Sequence, residues 1–242
     1  MAMRMSEGTL QGRRCLITGA TGGLGGALCV ALAQRGGRIF ATGRDTSALE
    51  QLCHQLEYAG ALVAPADLRS VDGVQALVSA VRARLGAIEV LVNCAGVFPV
   101  KSLGHSAPDD FDACFAINVR APFLLCRAFS GDMAQSGWGR IVNIGSSSAY
   151  AGFKDTSIYC ASKHALLGFS RALNDELKIH GVRTFCVSPG SIKTPMGREG
   201  ARGQDVETFL DPEDIAKFVT DLISYDGPMI ADEVRLNRMI YR

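Results

Sequence analysis

Neither sign of charge dominates this chain, and no long run of either occurs: 25 Lys and Arg stand against 24 Asp and Glu in 242 residues, for a net charge of +1. That balance lacks the electrostatic footprint of a nucleic-acid or membrane-surface binder, although one local cation is enough to hold a phosphate. Long apolar runs are missing too. No window approaches the roughly 18 consecutive apolar residues of a membrane span. Met1 to Arg13 is polar, without the apolar stretch of a signal peptide. Cys-x-x-Cys pairs and His doublets at metal spacing are absent, so no metal site is expected. The eight cysteines (15, 29, 53, 94, 114, 126, 160, 186) stand singly, mostly in apolar segments. They read as reduced, small hydrophobes of a cytoplasmic protein. Repeats, low-complexity tracts and linkers are also missing, which leaves a single domain over 1–242.

What is present is a core-building composition, 48% hydrophobic and 20% charged, laid out in a regular alternation. Short apolar runs rich in β-branched residues predict strands at Cys15–Thr18, Arg38–Thr42, Leu62–Pro65, Ile88–Asn93, Arg140–Ile144, Thr184–Ser188 and Glu233–Leu236. Their lack of polar alternation suits strands buried on both faces of a parallel sheet. Helical spacing fills the gaps at Leu24–Arg35, Ala48–Ala59, Val71–Leu85, Asp109–Gln135, Ser157–His180 and Pro212–Ser224. Such alternation predicts an α/β fold: a doubly wound, seven-stranded parallel sheet with helices on both faces. The least patterned stretch, 193–210, follows a strand's carboxyl end and is expected to be a substrate lid.

The first strand runs into Thr18-Gly19-Ala20-Thr21-Gly22-Gly23-Leu24-Gly25 and then directly into a helix. Glycines allow a tight turn and close approach to a pyrophosphate, and the helix offers free N–H groups and a positive dipole end. The spacing is Thr-Gly-x-x-x-Gly-x-Gly, which resembles the short-chain dehydrogenase/reductase family. The resemblance extends to about residue 196. It implies a Rossmann fold and a nicotinamide cofactor contacted by Gly19, Thr21, Gly23, Leu24 and Gly25.

The end of the second strand distinguishes the two nicotinamide cofactors. An acid there would hold the ribose 2′-hydroxyl of NAD; an Arg would accept the 2′-phosphate of NADP. The segment reads Thr42-Gly43-Arg44-Asp45. By resemblance Gly43 stands at the acid's position with Arg44 beside it, which favours NADP(H) over NAD(H). A strand two residues longer would instead bring Asp45 into play and favour NAD. The resemblance further implies cofactor contacts at Asp67 and Leu68, at Asn93, Ala95 and Gly96, and at Pro189, Gly190, Ile192 and Thr194. Cys94 departs from the family's Asn-Asn-Ala-Gly.

Tyr-x-x-x-Lys occurs twice, as Tyr150/Lys154 and Tyr159/Lys163. The pair needs a helix, where i and i+4 share a face. Gly152 interrupts the first copy, whereas the second lies within an apolar stripe at helical spacing (Ile158, Ala161, Ala165, Leu166, Phe169, Leu173, Leu177). The second copy is therefore the candidate. An ammonium ~4 Å from the phenol, at an effective dielectric of ~20, contributes on the order of 4 kcal/mol. That predicts a Tyr159 pKa lowered toward neutrality before desolvation opposes it.

The family's serine precedes its tyrosine by thirteen residues, which selects Ser146, with Ser147 as the fallback. Asn118 resembles the family's active-site Asn. Pro122, four residues on, has no N–H, so the Asn118 carbonyl loses its helical partner. That carbonyl could bind a relay water to Lys163, or the proline could simply kink the helix.

The resemblance thus implies an oxidoreductase passing a hydride between NADP(H) and a carbonyl or secondary alcohol, with Tyr159, Ser146, Lys163 and Asn118 as the catalytic set. Candidate substrates are 3-oxoacyl thioesters, ketones or aldehydes, and polyols. Phe98, Phe153 and Met196 are candidate pocket walls, and the helix 157–180 stripe suggests a homodimer or homotetramer. A catalytically silent cofactor-binding scaffold is the rival, yet Tyr, Lys and Ser are all intact. The C-terminal Asn237–Arg242 lacks the family's closing Gly-Gly.

Overall fold

The computed structural model describes residues 10–239 except Arg202. Met1–Thr9 of the polar N-terminal segment and Ile240–Arg242 of the tail lie outside the described residues. Seven strands form one parallel sheet: β1 (Arg14–Thr18), β2 (Arg38–Gly43), β3 (Leu62–Pro65), β4 (Val90–Asn93), β5 (Gly139–Ile144), β6 (Val182–Pro189) and β7 (Glu233–Leu236). Their order is β3-β2-β1-β4-β5-β6-β7. The chain reverses its direction of winding between β1 and β4, and in such sheets ligands bind at the carboxyl ends beside that reversal. Strands β4 and β5 are buried at every position, which accounts for their lack of polar alternation.

Helices α1 (Gly23–Gln34) and α8 (Pro212–Ser224) pack on one face of the sheet. On the other lie α3 (Val71–Leu85) and α5 (Ala121–Ser136), with α6 (Ser157–Leu177) reaching the same core through Leu173. Helix α2 (Thr46–Gln55) leans on β2 and β3, while α4 (Pro108–Phe115) and the short α7 (Pro195–Glu199) flank the carboxyl edge.

Caps explain the sharpest boundaries. Ser70 accepts from Gly73 N to start α3, and Gly86, at φ 81°, stops it.

Two expectations are corrected. The helix read as Asp109–Gln135 is α4 and α5 joined by a π-helical turn at Ala116–Arg120, placed just ahead of Pro122. That proline cannot donate to Asn118, so the ladder widens by one residue there instead of kinking. Pro108–Ser136 as a whole passes a test of length and composition for a membrane-crossing helix, with half of its most apolar window buried, although no run of consecutive apolar residues in it reaches membrane-span length. The other corrected expectation is the stretch 193–210, which is not patternless. It carries α7, a 3₁₀ turn at Val206–Thr208, and a closed neck. Lys193 N donates to the Leu210 carbonyl and Leu210 N to the Ser191 carbonyl, both at 2.9 Å.

Candidate active site

A cavity of about 570 Å³ opens at the carboxyl edge of the sheet, between the glycine turn, the β4 loop, α6 and the α7 segment. The turn is built by close approach. Gly19 has φ +68°, and a Cβ there would lie 2.7 Å from Ala95 Cα. A Cβ on Gly25 would lie 2.1 Å from the Gly19 carbonyl oxygen, so only glycine lets α1 start against that strand end. Thr18 fixes the other side of the reversal, its Oγ1 accepting from Cys94 N and Ala95 N at 3.1 Å each. Helix α1 begins without a side-chain cap and without an acid in its first turn, so its positive end is uncompensated where it meets the cavity.

At the far end β2 stops at Gly43, and Arg44 lines the cavity. Asp45 is used elsewhere: its carboxylate accepts from Ala48 N at 3.0 Å and caps α2. The longer strand that would have presented it is not formed. Asp67 lines the cavity in the grip of Arg69, whose side-chain and backbone hydrogen bonds hold the carboxyl down at about 2.

Tyr159 and Lys163 lie in the first two turns of α6, as i and i+4, and both line the cavity. The rival pair is accounted for. Tyr150 follows a 3₁₀ turn, outside any α-helix, and its hydroxyl donates to Glu233 at 3.2 Å. Ser146 stands just past β5, accepts from Ser148 N at 3.1 Å, and hydrogen-bonds toward Tyr159. Ser147 and Ser148 share the wall.

The expected lowering of the phenol is not seen. Burial pushes Tyr159 up to about 12, opposed by the Ser146 hydrogen bond. The desolvation that was to be the opposing effect dominates. Lys163 is itself buried, its pKa lowered for that reason, and its Nζ donates to the Ile144 carbonyl at 2.8 Å while standing 5.7 Å from the Tyr159 ring centre.

Every other expected site residue lines the cavity except Asn93 and Asn118. Asn93 is buried in the sheet and donates to Asn143 Oδ1 at 2.8 Å. Asn118 sits in the π turn with its side chain fully engaged. Its Oδ1 accepts from Val97 N at 2.9 Å, and its Nδ2 donates to the Val97 carbonyl and to Ser162 Oγ, both at 3.0 Å. It therefore clamps the β4 loop to α6. Sequence reasoning missed Gln204, Thr156 and Gly200, which also line the cavity; no local motif marks them.

Comparisons with known proteins match most of the chain. The short chain dehydrogenase family model matches residues 13–205. D-threitol dehydrogenase of Mycolicibacterium smegmatis is 34% identical over 91% of this chain and 89% of its own length. Nodulation protein G of Azospirillum brasilense is 36% identical over 86% and 81%. Among solved structures, a metagenomic short-chain oxidoreductase in complex with NADP is 31% identical, with a TM-score of 0.83 over 96% of this chain and 99% of that one.

Proposed function

The chain belongs to the short-chain dehydrogenase family, and from that premise we propose that it is an NADP(H)-dependent carbonyl reductase whose proton donor is Tyr159. The family makes it an oxidoreductase of alcohol and carbonyl groups. The observation that carries the finer reading is the placement of Tyr159, Ser146 and Lys163 on one wall of a cavity whose other end holds the α1 N-terminus and Arg44. This donor set suits NADP(H): free helix N–H groups for a pyrophosphate, and a guanidinium for a 2′-phosphate where Asp45 is turned away. When bound, NADP(H) supplies or accepts the hydride.

The chain's own residues do the rest. Ser146 orients the substrate oxygen and Tyr159, protonated at neutral pH, gives it a proton. Lys163 holds positive charge behind the phenol and favours the tyrosinate left after transfer. Asn118 keeps the loop at Val97 and helix α6 in register. The substrate class is a 3-oxoacyl thioester, a ketone or aldehyde, or a polyol; a threitol dehydrogenase among the relatives supports including polyols. The segment 193–210 acts as the lid. Eight free cysteines support a cytoplasmic setting, and the exposed Phe123 on α5 supports a homodimer or homotetramer.

A panel of carbonyl compounds, with oxidation of NADPH and NADH followed by absorbance, tests this reading. Turnover faster with NADPH is expected. Tyr159→Phe should still bind NADPH while reduction falls by roughly 10²-fold or more. Undiminished reduction by that variant, or a clear preference for NADH, overturns the reading.

A further inference from the structure

Two segments distant in sequence build the apolar wall beside Tyr159. Phe98, on the loop after β4, meets the Tyr159 ring edge to face with centroids 4.5 Å apart. From the other side the end of α7 closes on the same phenylalanine: a Cβ on Gly200 would lie 2.6 Å from Phe98 Cε1. Gly200 has φ −85° and ψ 0°, a conformation open to ordinary L residues. The backbone does not require glycine there; the ring does. At its other end α7 is fastened to the glycine turn. Thr194 accepts from Gly197 N at 3.2 Å to cap the helix, and its Cγ2 would lie 2.8 Å from a Cβ on Gly23. Helix α7 therefore runs from the turn beside the pyrophosphate-binding helix to the ring that backs the phenol.

We propose that Phe98 is the positioning residue for Tyr159, and that Gly200 is the lid position that sets the Phe98 ring against it, so that seating of the lid and alignment of the phenol are one event. This rests on the carbonyl–alcohol reading above. The ring shields one side of the phenol from water and limits its swing. It also faces the cavity alongside Phe153 and Met196, so it sets an apolar flank for the substituent on the reacting carbon.

A double-mutant cycle reads the coupling, because a methyl group added at Gly200 meets the ring only where the ring exists. Gly200→Ala is expected to lower kcat for a reduced ketone by about tenfold or more, since small misplacements at a reacting centre are costly. KM and NADPH affinity should change little. In a Phe98→Ala background the same change should cost under about twofold. Phe98→Ala alone should move the alkaline fall of reduction to lower pH, as a hydrated phenol returns toward its ordinary value. Equal costs of Gly200→Ala in both backgrounds, or an unmoved pH profile, overturn the proposal.

A second arm needs no turnover. Nitration of Tyr159 by tetranitromethane, mapped by peptide mass spectrometry, should be several-fold faster in Phe98→Ala; an unchanged rate also overturns the proposal. A wild-type protein that binds NADPH but turns over no carbonyl or alcohol would instead overturn the functional reading, and the nitration arm would still decide the role of Phe98.

Discussion

Each end of strand β5 meets a buried cation, Arg140 from the strand itself and Lys163 from α6, and the two are held in different ways. At its amino end Arg140 is 1% exposed. Its Nε donates to the Ile223 carbonyl at 3.1 Å, its Nη1 to the Gly139 carbonyl at 2.8 Å and its Nη2 to Asp226, and the guanidinium lies 4.2 Å from the Trp138 ring centre. At the carboxyl end Lys163 is 5% exposed, and its one hydrogen bond among the described residues goes to the Ile144 carbonyl, the last residue of the same strand. Burial lowers both, Arg140 to about 10. The difference lies in what is left over. Arg140 spends its donors on fixed acceptors and a stacked ring, whereas Lys163, with three donors on a cavity wall, keeps capacity for a partner that comes and goes. One end of the strand is built for stability and the other for chemistry.

Exchanging each cation for methionine puts that contrast to its hardest test. Lys163→Met should lower kcat/KM for carbonyl reduction by roughly 10²-fold or more. Its Tm should hold or rise, because an apolar isostere relieves a buried charge. If Lys163→Met loses several degrees of stability with activity intact, the contrast is reversed. Arg140→Met should do the opposite. It orphans the Ile223 and Gly139 carbonyls and unstacks Trp138, a loss of about 2–4 kcal/mol by denaturant unfolding. Turnover per folded molecule should stay within about twofold, since residue 140 lies at the opposite end of the strand from the site.

The amino end was the less legible of the two. Residues that act through local pattern could be read directly. Leu62–Pro65, Val71–Leu85, Pro212–Ser224 and Glu233–Leu236 have the predicted bounds, because an apolar period and, for α3, a serine cap and a glycine stop lie within the segment. The glycine turn and the choice of Tyr159 over Tyr150 were legible for the same reason.

What depended on contacts distant in sequence was not. The partner of Arg140 is Asp226, and the ring that forbids a side chain at Gly200 belongs to Phe98; neither pairing leaves a trace in spacing. Helix α7 was a different failure. Thr194 followed by Pro195 is a start signal of cap and first-turn proline, but the surrounding glycines and charges hid it. The pKa of Tyr159 misled because a charge at a distance is easy to count from sequence and burial is not.

The smallest expected effect separates the two ends by acidity. Glu89, also at the amino end, accepts from Arg13 Nη1 at 2.6 Å and from Arg14 N and Nε at 3.1 Å each. Burial alone would raise its carboxyl, but these hydrogen bonds and the Arg13 charge hold it below the ordinary 4.5. A carboxyl lowered in the folded state binds its proton more tightly when unfolded. Its contribution is therefore present above the unfolded pKa and is lost as the pH falls through the folded one. Glu89→Gln should be less stable than wild type at neutral pH by on the order of 1 kcal/mol, and the two should converge in Tm as the pH falls below the ordinary 4.5 and through the lowered folded value. Lys163→Met should show no such convergence with wild type, since burial is the main cause of that amine's shift and no carboxylate acts on it. If the Glu89→Gln deficit persists undiminished into acid, the amino end is held by shape alone, and the ion pairs around β5 contribute nothing to it.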